Sequence, residues 1–478
     1  MDLIIPLKKN PVLKNVISFS RKSGCKVYLV GGFVRDLFLR KESLDLDFAV
    51  DKDAINFARY VAGKIGGNFI ILDKEHGSAR VIAGRREASF TLDFTDFRGE
   101  DITADLSKRD FTVNALALDI LDIAGAQKLS DILIDPYSGI SDIKAKIIRV
   151  INNKTFLEDP LRMLRAFSLS AVLGFSMAQS TVKLISRNKK GITNAASERI
   201  REELFKILAT ANSADFFIKM DKAGILSAII PQVNLMRGVA QGPYHHLDVL
   251  NHSFEAMLQM DRLCEELKRR GKIMAYLKEI IACGHRRIAV LKLAAFLHDI
   301  GKPDALTYDA GKTKFHGHEY IGKKIAVKIC DNLKLSLKEK EAIKTMIFWH
   351  LRPGYLADYP HISERAIFRY FRDTAEEGVS VLLLSISDQR ATRGPLTHQE
   401  SRIRHEKVCL WLAKEYFRRK EEKKLPRLIT GNDLIKKLKL IPGPIFGRIL
   451  EAVEEEQAAG EIATKAQALK LARRMAKC

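Results

Sequence analysis

The stretch Val27-Tyr28-Leu29-Val30-Gly31-Gly32-Phe33-Val34-Arg35-Asp36, followed by Leu37 to Leu46 and closed by Asp47, decides how the N-terminal part of the chain is built. Val27 to Val30 are apolar and partly β-branched, as in a short buried strand, Gly31-Gly32 interrupts them, and Phe33 to Leu39 resume with helical spacing. A strand, a glycine turn and a helix are expected. Such a turn lets the backbone approach a phosphate and aims free helix N–H groups at it, with Arg35 one turn in to add charge. In a second strand over Leu44 to Val50, residues i and i+2 share a face, so Asp45 and Asp47 point the same way. Two such carboxylates suit Mg²⁺, which takes hard oxygen ligands from one or two carboxylates and from substrate phosphates. The simpler alternative, an Asp-rich surface strand, leaves the glycine pair and Arg35 unexplained.

Working outward, residues 25 to 150 alternate β-rich runs (Phe69 to Leu72, Ala79 to Ala83, Ala88 to Phe94) with helical stretches such as Ala54 to Ile65. This predicts an α/β or α+β domain. After Phe156 the strand signals vanish, and helical patterns punctuated by Gly174, Gly191, Gly224 and Pro231 run almost to the end. The charge run Arg418 to Lys424 before Leu425-Pro426 reads as a helix end and linker. The segmentation expected is 1–150, 151–235, 236–425 and 426–478.

The 478 residues carry 80 Lys and Arg against 58 Asp and Glu, a formal net charge of +22, which points to a polyanionic partner and most directly to nucleic acid. Cys25, Cys264, Cys283, Cys330, Cys409 and Cys478 lie far apart with no C-x-x-C pair, so neither a disulfide framework nor a zinc ribbon is expected. A reducing cytoplasm fits this. Pro6, Lys8, Lys9, Pro11 and Lys14 break up the N-terminal apolar residues, and no stretch is long enough to span a bilayer.

Phe156-Leu157-Glu158-Asp159-Pro160-Leu161-Arg162-Met163-Leu164-Arg165-Ala166-Phe167 reads as the start of a long helix, with Asp159 as N-cap and Pro160 in the first turn. A carboxylate and a guanidinium one turn apart can also face a base edge together. Cytosine and adenine each offer an exocyclic amine, for Asp159 to accept from, beside a ring nitrogen for Arg162 to donate to. Guanine and uracil would frustrate both bonds. A third block, Leu106 to Ala117, offers Arg109 to a triphosphate and Asp110 to ribose hydroxyls, or else an ordinary ion pair on a capped helix. Asp93 is the candidate third carboxylate, with Asp96 as the alternative.

These blocks, in this order, resemble the class II tRNA nucleotidyltransferase and bacterial poly(A) polymerase family, within the DNA polymerase β superfamily. The resemblance runs from Gly31-Gly32-Phe33-Val34-Arg35-Asp36 and Asp45-Leu46-Asp47 through Arg109-Asp110-Phe111-Thr112-Val113-Asn114-Ala115 and Asp135-Pro136-Tyr137-Ser138-Gly139. It continues into Glu158-Asp159-Pro160-Leu161-Arg162 and Ser197-Glu198-Arg199-Ile200. It implies a multidomain α+β protein: a polymerase-β-like head with a mixed sheet, then all-α neck, HD and C-terminal domains. It further implies Mg²⁺ on Asp45 and Asp47, a nucleotide pocket of Gly31, Gly32, Arg35, Arg109, Asp110, Asn114, Asp159, Arg162 and Arg165, and CTP, ATP and a tRNA 3′ end as partners. The chain departs from the family at Lys108 and Ser168, where arginines are common. The segment from Asp96 to Ala104 is also short, where full CCA-adding members carry a longer flexible loop.

His252, His298-Asp299, His318, His350 and Asp388 follow in an order that looks like an HD-domain phosphohydrolase, with Gly301-Lys302-Pro303 behind the His-Asp pair. Adjacent His and Asp on one helix, with a distant His and Asp, can hold one divalent ion, and His318 and His350 a second. His245, His246 and His316 are alternatives. In the tail, Ile429 to Ile435 and Ile441 to Arg448 resemble the C-terminal module of HD-containing members, and Gly443-Pro444 before a helix could offer N–H groups to RNA. The function expected is template-independent addition of C, A or both to a tRNA 3′ end, with HD phosphohydrolase activity. Poly(A) polymerase and a specialised CC-adding or A-adding enzyme are alternatives, as is a phosphohydrolase whose head only binds RNA. Oligomeric state is not readable from the sequence.

Overall fold

In the computed structural model, which describes residues 4–85, 88–309, 312–422 and 426–476, the opening stretch lies in a seven-stranded sheet. Its strands are β1 (Val27–Val30), β2 (Asp45–Val50), β3 (Asn68–Asp73), β4 (Ser78–Arg85), β5 (Ala88–Asp96), β6 (Ala117–Asp119) and β7 (Leu133–Ile134), ordered β3-β4-β5-β2-β1-β6-β7. Only β2 and β5 pair in parallel; the other neighbours are antiparallel. The register places Leu46 beside Leu92 and Phe48 beside Phe94. These buried side chains form the apolar face, with the Phe48 and Phe94 rings stacked at 4.7 Å and Phe57, from the Ala54–Ile65 helix, tilted against Phe94 at 5.5 Å. Fully burying such an aromatic side chain stabilises by roughly 1.5–3 kcal/mol. Alternation then turns Asp45, Asp47, Asp93 and Arg80 to the opposite face, where Asp47 neighbours Asp93 and Asp93 neighbours Arg80.

The helix after β1 spans Gly31–Phe38 rather than resuming at Phe33. Val30 is the extended cap and Gly31, at φ +72°, makes the corner, so the glycine pair is the first turn of the helix and not a turn before it. The stretch from Phe156 also differs from expectation. A short helix Thr155–Glu158 ends at Asp159, and a second, Leu161–Leu173, starts behind Pro160. Proline disfavours helical backbone in the residue before it, and Asp159 is indeed extended (φ −142°, ψ 101°).

The chain divides into two compact units, Met1–Ala196 with Lys222–Ala228, and Ser197–Asp221 with Ile229–Cys478. The second is mainly helical, but strands do not vanish from the chain after Phe156. Ile147–Ile148 pairs with Ser176–Met177, and hairpins join Ile280–Ala282 to His285–Arg286 and Thr307–Asp309 to Lys312–Lys314. Near the C-terminus, Gly431–Leu438, Pro444–Ala458 and Lys465–Met475 pack around Leu434, Ile449, Val453, Ala468 and Ala472. Of the charge run, Arg418 to Glu421 end the Gln399–Glu421 helix, while Lys423, Lys424 and Leu425 lie outside the described residues, as does Cys478. The remaining five cysteines are free thiols. No helix among the described residues is long and apolar enough to cross a membrane.

Candidate active site and metal centre

Asp45 is exposed and Asp47 half-buried on the polar face of β2. Burial raises the Asp47 pKa above the ordinary carboxylate range; Arg109 and Arg165 pull it down, while Asp93 and Asp45 push it up. Three like charges crowd here, which is what a divalent cation would relieve. A Cβ at Gly31 would stand 2.9 Å from Arg109 Nη1 and 3.1 Å from Asp47 Oδ2, so the bare glycine backbone borders both groups. Asp93 is gripped by Arg80, whose Nε and Nη2 donate to its two oxygens at 2.7 Å each. An isolated arginine in a strand carries no sequence pattern, and Arg80 went unread. Asp96, three residues from Asp93, points to the other face and accepts from the Ala54 N–H at 2.7 Å, a capping role that sets it apart from the carboxylate group.

Arg109 pairs with buried Asp105 (Nη2–Oδ2 3.0 Å) and not with its neighbour Asp110. Asp110, also buried, anchors a different chain of contacts. It takes Arg165 Nε at 2.9 Å, the Asn114 amide at 3.0 Å and the Phe111 N–H at 2.8 Å, while Asn114 Oδ1 accepts from Arg35 Nη1 at 2.6 Å. Burial would raise the Asp110 carboxyl, but Arg165, Asn114 and the Phe111 N–H outweigh it and hold the group below its ordinary value. Arg35, Asn114, Asp110 and Arg165 are therefore one network. Asp159 Oδ1 accepts from the Leu161 N–H at 3.1 Å, whereas Arg162 donates to the Lys108 carbonyl at 2.8 Å and lies 3.4 Å from Glu158. The two prospective base readers thus each hold backbone here, and Lys108 contributes its carbonyl rather than its charge. Asp135 accepts from the N–H groups of Gly139 and Ile140, so the Asp135 to Gly139 block caps the Gly139–Ala145 helix.

In the second unit, five helices converge. His252 lies in Val249–Glu266, His298-Asp299 end Arg287–Leu297, His318 opens His318–Asn332, His350 ends Leu337–Trp349, and Asp388 lies in Gly378–Ala391. Two groups of three form around Asp299: His252, His298 and Asp299, and Asp299, His318 and His350, the ligand atoms of each within 4.8 Å of one another. Asp299 Oδ2 lies 3.1 Å from His298 Nε2 and 3.4 Å from His252 Nε2; Oδ1 lies 3.4 Å from His318 Nε2 and 3.9 Å from His350 Nε2. Asp388 Oδ1 adds contacts of 3.0 Å to His252 and 3.5 Å to His298.

His298, His318 and His350 each present Nδ1 to a carbonyl three residues back, Ala295, Phe315 and Ile347, at 2.6–2.9 Å. In the neutral ring that places the proton on Nδ1 and leaves a lone pair on Nε2 aimed inward, free for an ion once the second proton that Asp299 and Asp388 favour on His298 is displaced. The Nε2 atoms of His318 and His350 then face each other at 3.4 Å, an arrangement favourable with a cation between them. Buried His298 Nε2 and Asp299 Oδ2 make no well-directed hydrogen bond. Burial opposes charge on His298, but Asp299 and Asp388 lift its pKa to about 10, whereas burial takes His350 down to about 3. The donor set fits divalent ions. His246 and His316 are exposed and outside both groups, while His245 stacks edge-on against the His252 ring at 4.7 Å. The sequence also gave no sign of Gln241, whose Oε1 accepts from Lys302 Nζ at 2.6 Å while the same ammonium lies 2.6 Å from Asp299 Oδ2.

Four family descriptions match the chain: a poly(A) polymerase head domain over residues 27–149, the RNA- and SrmB-binding segment of polymerase A over 174–236, an HD domain over 249–393, and tRNA nucleotidyltransferase domain 2 over 417–472. The CC-adding tRNA nucleotidyltransferase of Geobacter sulfurreducens is 31% identical over 466 residues, covering 96% of this chain and 94% of the relative. The A-adding tRNA nucleotidyltransferase of Deinococcus radiodurans is 29% identical over 459 residues, covering 94% and 95%. A solved CCA-adding enzyme in complex with ATP superposes at TM-score 0.66 with 21% identity, covering 100% of this chain and 98% of that one, a likeness of fold.

Proposed function

The chain belongs to the family of tRNA nucleotidyltransferases that join a poly(A) polymerase head to an HD domain, and we propose that it adds C, A or both, from CTP and ATP, to the 3′ end of a tRNA. The observation that carries this is the meeting of Asp45 and Asp47 with Gly31 and Arg109 on one face of the head, beside the Arg35–Asn114–Asp110–Arg165 network. Mg²⁺ held by Asp45 and Asp47 would polarise the α-phosphate and offset charge on the leaving pyrophosphate. Arg109, Arg35 and the first-turn N–H groups after Gly31 receive the triphosphate, and Asp110 receives the ribose hydroxyls. Arg80 fixes the orientation of Asp93 beside Asp47. Asp159 and Arg162 read the base by exchanging their present backbone partners for its amine and ring nitrogen. The 3′ hydroxyl of the tRNA attacks, and pyrophosphate leaves.

The specialised reading, CC only or A only, is favoured by the connection between β5 and the Ile102–Ser107 helix, which is only residues 97–101. The test offers CTP, ATP, GTP and UTP with tRNAs ending before CCA, after the first C and after CC. The reading expects C, A or both and neither G nor U; incorporation on no acceptor overturns it. For the second unit, His252, His298, Asp299 and Asp388 would hold one divalent ion and Asp299, His318 and His350 a second, and nitrogen-rich donors suit a transition metal better than Mg²⁺. Ions there would activate water against a phosphate ester. Phosphoester hydrolysis lost in His298→Ala and kept in Asp45→Ala is the expected result, and hydrolysis unaffected by His298→Ala contradicts it.

A further inference from the structure

The connection between β5 and the Ile102–Ser107 helix, residues 97–101, carries Arg98 on a backbone that is pinned at several points. The Phe97 N–H donates to the Val50 carbonyl at 2.9 Å, the Arg98 N–H to Asp105 Oδ1 at 3.3 Å, and the Ala104 N–H to the Asp101 side chain at 2.8 Å, which caps the helix. A Cβ at Gly99 would stand 2.5 Å from the Ala104 Cβ, so the chain lies directly against the helix it leads into. Arg98 is therefore presented from a fixed backbone beside a buried carboxylate.

That carboxylate, Asp105, serves two guanidiniums unequally. Arg109 grips Oδ2 with two donors, Nε at 3.2 Å and Nη2 at 3.0 Å, and its Nη1 reaches the bare backbone of Gly31 beside Asp47. Arg98 brings only Nε, 3.4 Å from Oδ1, which is longer than an ordinary N–H···O bond, and it makes no other ion pair among the described residues. Burial lowers the Arg98 pKa and Asp105 raises it, while Arg109 and Arg162 lower it again as like charges. The loosely held guanidinium thus lies in the field of the arginine that receives the triphosphate and of the one that reads the base. One carboxylate cannot neutralise both Arg98 and Arg109, and the surplus positive charge favours an anion at this place. A planar guanidinium with free Nη donors matches two phosphate oxygens at once.

We propose that Arg98 is a further triphosphate-binding residue of the head, exchanging its long contact with Asp105 for phosphate oxygens of the incoming CTP or ATP, while Asp105 stays with Arg109 as its positioning residue. This rests on the nucleotidyltransferase reading of the head. The test measures, on the full-length protein, the Kd for CTP and ATP by calorimetry and the Kd for tRNA by filter binding, in wild type, Arg98→Ala, Arg98→Gln and Arg98→Lys, with folding checked by circular dichroism. Arg98→Ala and Arg98→Gln are expected to raise the nucleotide Kd about tenfold or more and to leave the tRNA Kd within about twofold, and Arg98→Lys, which keeps the charge without the fork, to fall between them and the wild type. Arg98→Gln retains most of the stem, so lost charge is separated from lost packing. A nucleotide Kd unchanged in either folded neutral variant overturns the proposal, as does a loss that falls on tRNA and spares the nucleotides. A wild type that binds neither CTP nor ATP overturns the reading of the head and this proposal with it, an outcome distinct from the other two.

Discussion

Asp110 joins structure to binding at the scale of one residue. Its carboxylate is the acceptor for two buried donors, the Asn114 amide and the Phe111 N–H, and for half-exposed Arg165. Because water screens Arg165, the orphaned buried donors should dominate the cost of Asp110→Ala, about 1–3 kcal/mol of head stability, read from the shift of the head's unfolding transition. The same carboxyl is held below its ordinary value of 3.8 in the fold. Its stabilisation is therefore complete above that value and fades as pH falls through the depressed pKa. The stability difference between wild type and Asp110→Ala should accordingly shrink between about pH 5 and pH 3 in thermal melts, and a constant difference would contradict it. Asp45 and Asp47 stood out in the sequence because carboxylates at fixed spacing behind a glycine pair form a local pattern, and Asp110 because it lies in the separate Leu106 to Ala117 block. Arg80 was not, since only the pairing of β4 with β5 brings it to Asp93. Nor was the engagement of Arg162 with Lys108, which lies 54 residues away.

Among the elements, the corner between β1 and the Gly31–Phe38 helix controls the face on which the carboxylates stand. An alanine at position 31 would adopt φ +72° at a cost of roughly 1–2 kcal/mol and press its Cβ onto Arg109 and Asp47. Gly31→Ala should lower nucleotide transfer at least tenfold while the head stays folded, checked by initial rates alongside circular dichroism. A comparable contact exists in the second unit. A Cβ on Gly301 would lie 2.3 Å from the His318 carbonyl and 2.4 Å from the Gly322 N–H nitrogen, both backbone atoms that cannot swing aside. Gly301→Ala should thus push the His318–Asn332 helix from Asp299 and reduce the bound metal per chain, measured by elemental analysis. The glycines announced a break in each place, but their precise use required the fold. The hairpin Ile280 to Arg286 was missed for a related reason: its two-residue turn is Cys283-Gly284, both at positive φ, and cysteine is not a residue that advertises such a turn.

For the molecule as a whole, a net charge of +22 predicts that tRNA binding is dominated by phosphate contacts and counterion release. Six or more such contacts would weaken binding by about 10³-fold or more between 50 and 200 mM salt, so a filter-binding series with a shallow slope would contradict a charge-led interface. The order of the units was legible because each carries its own chemistry: hard carboxylates in the first and imidazoles in the second. The most direct measurement of the central claim is single-turnover transfer of CMP or AMP to tRNA acceptors by wild type and Asp47→Asn at equal, folded concentrations. The account predicts transfer by the wild type and a loss of about 10²-fold or more in Asp47→Asn. Transfer at the wild-type rate by Asp47→Asn would contradict it.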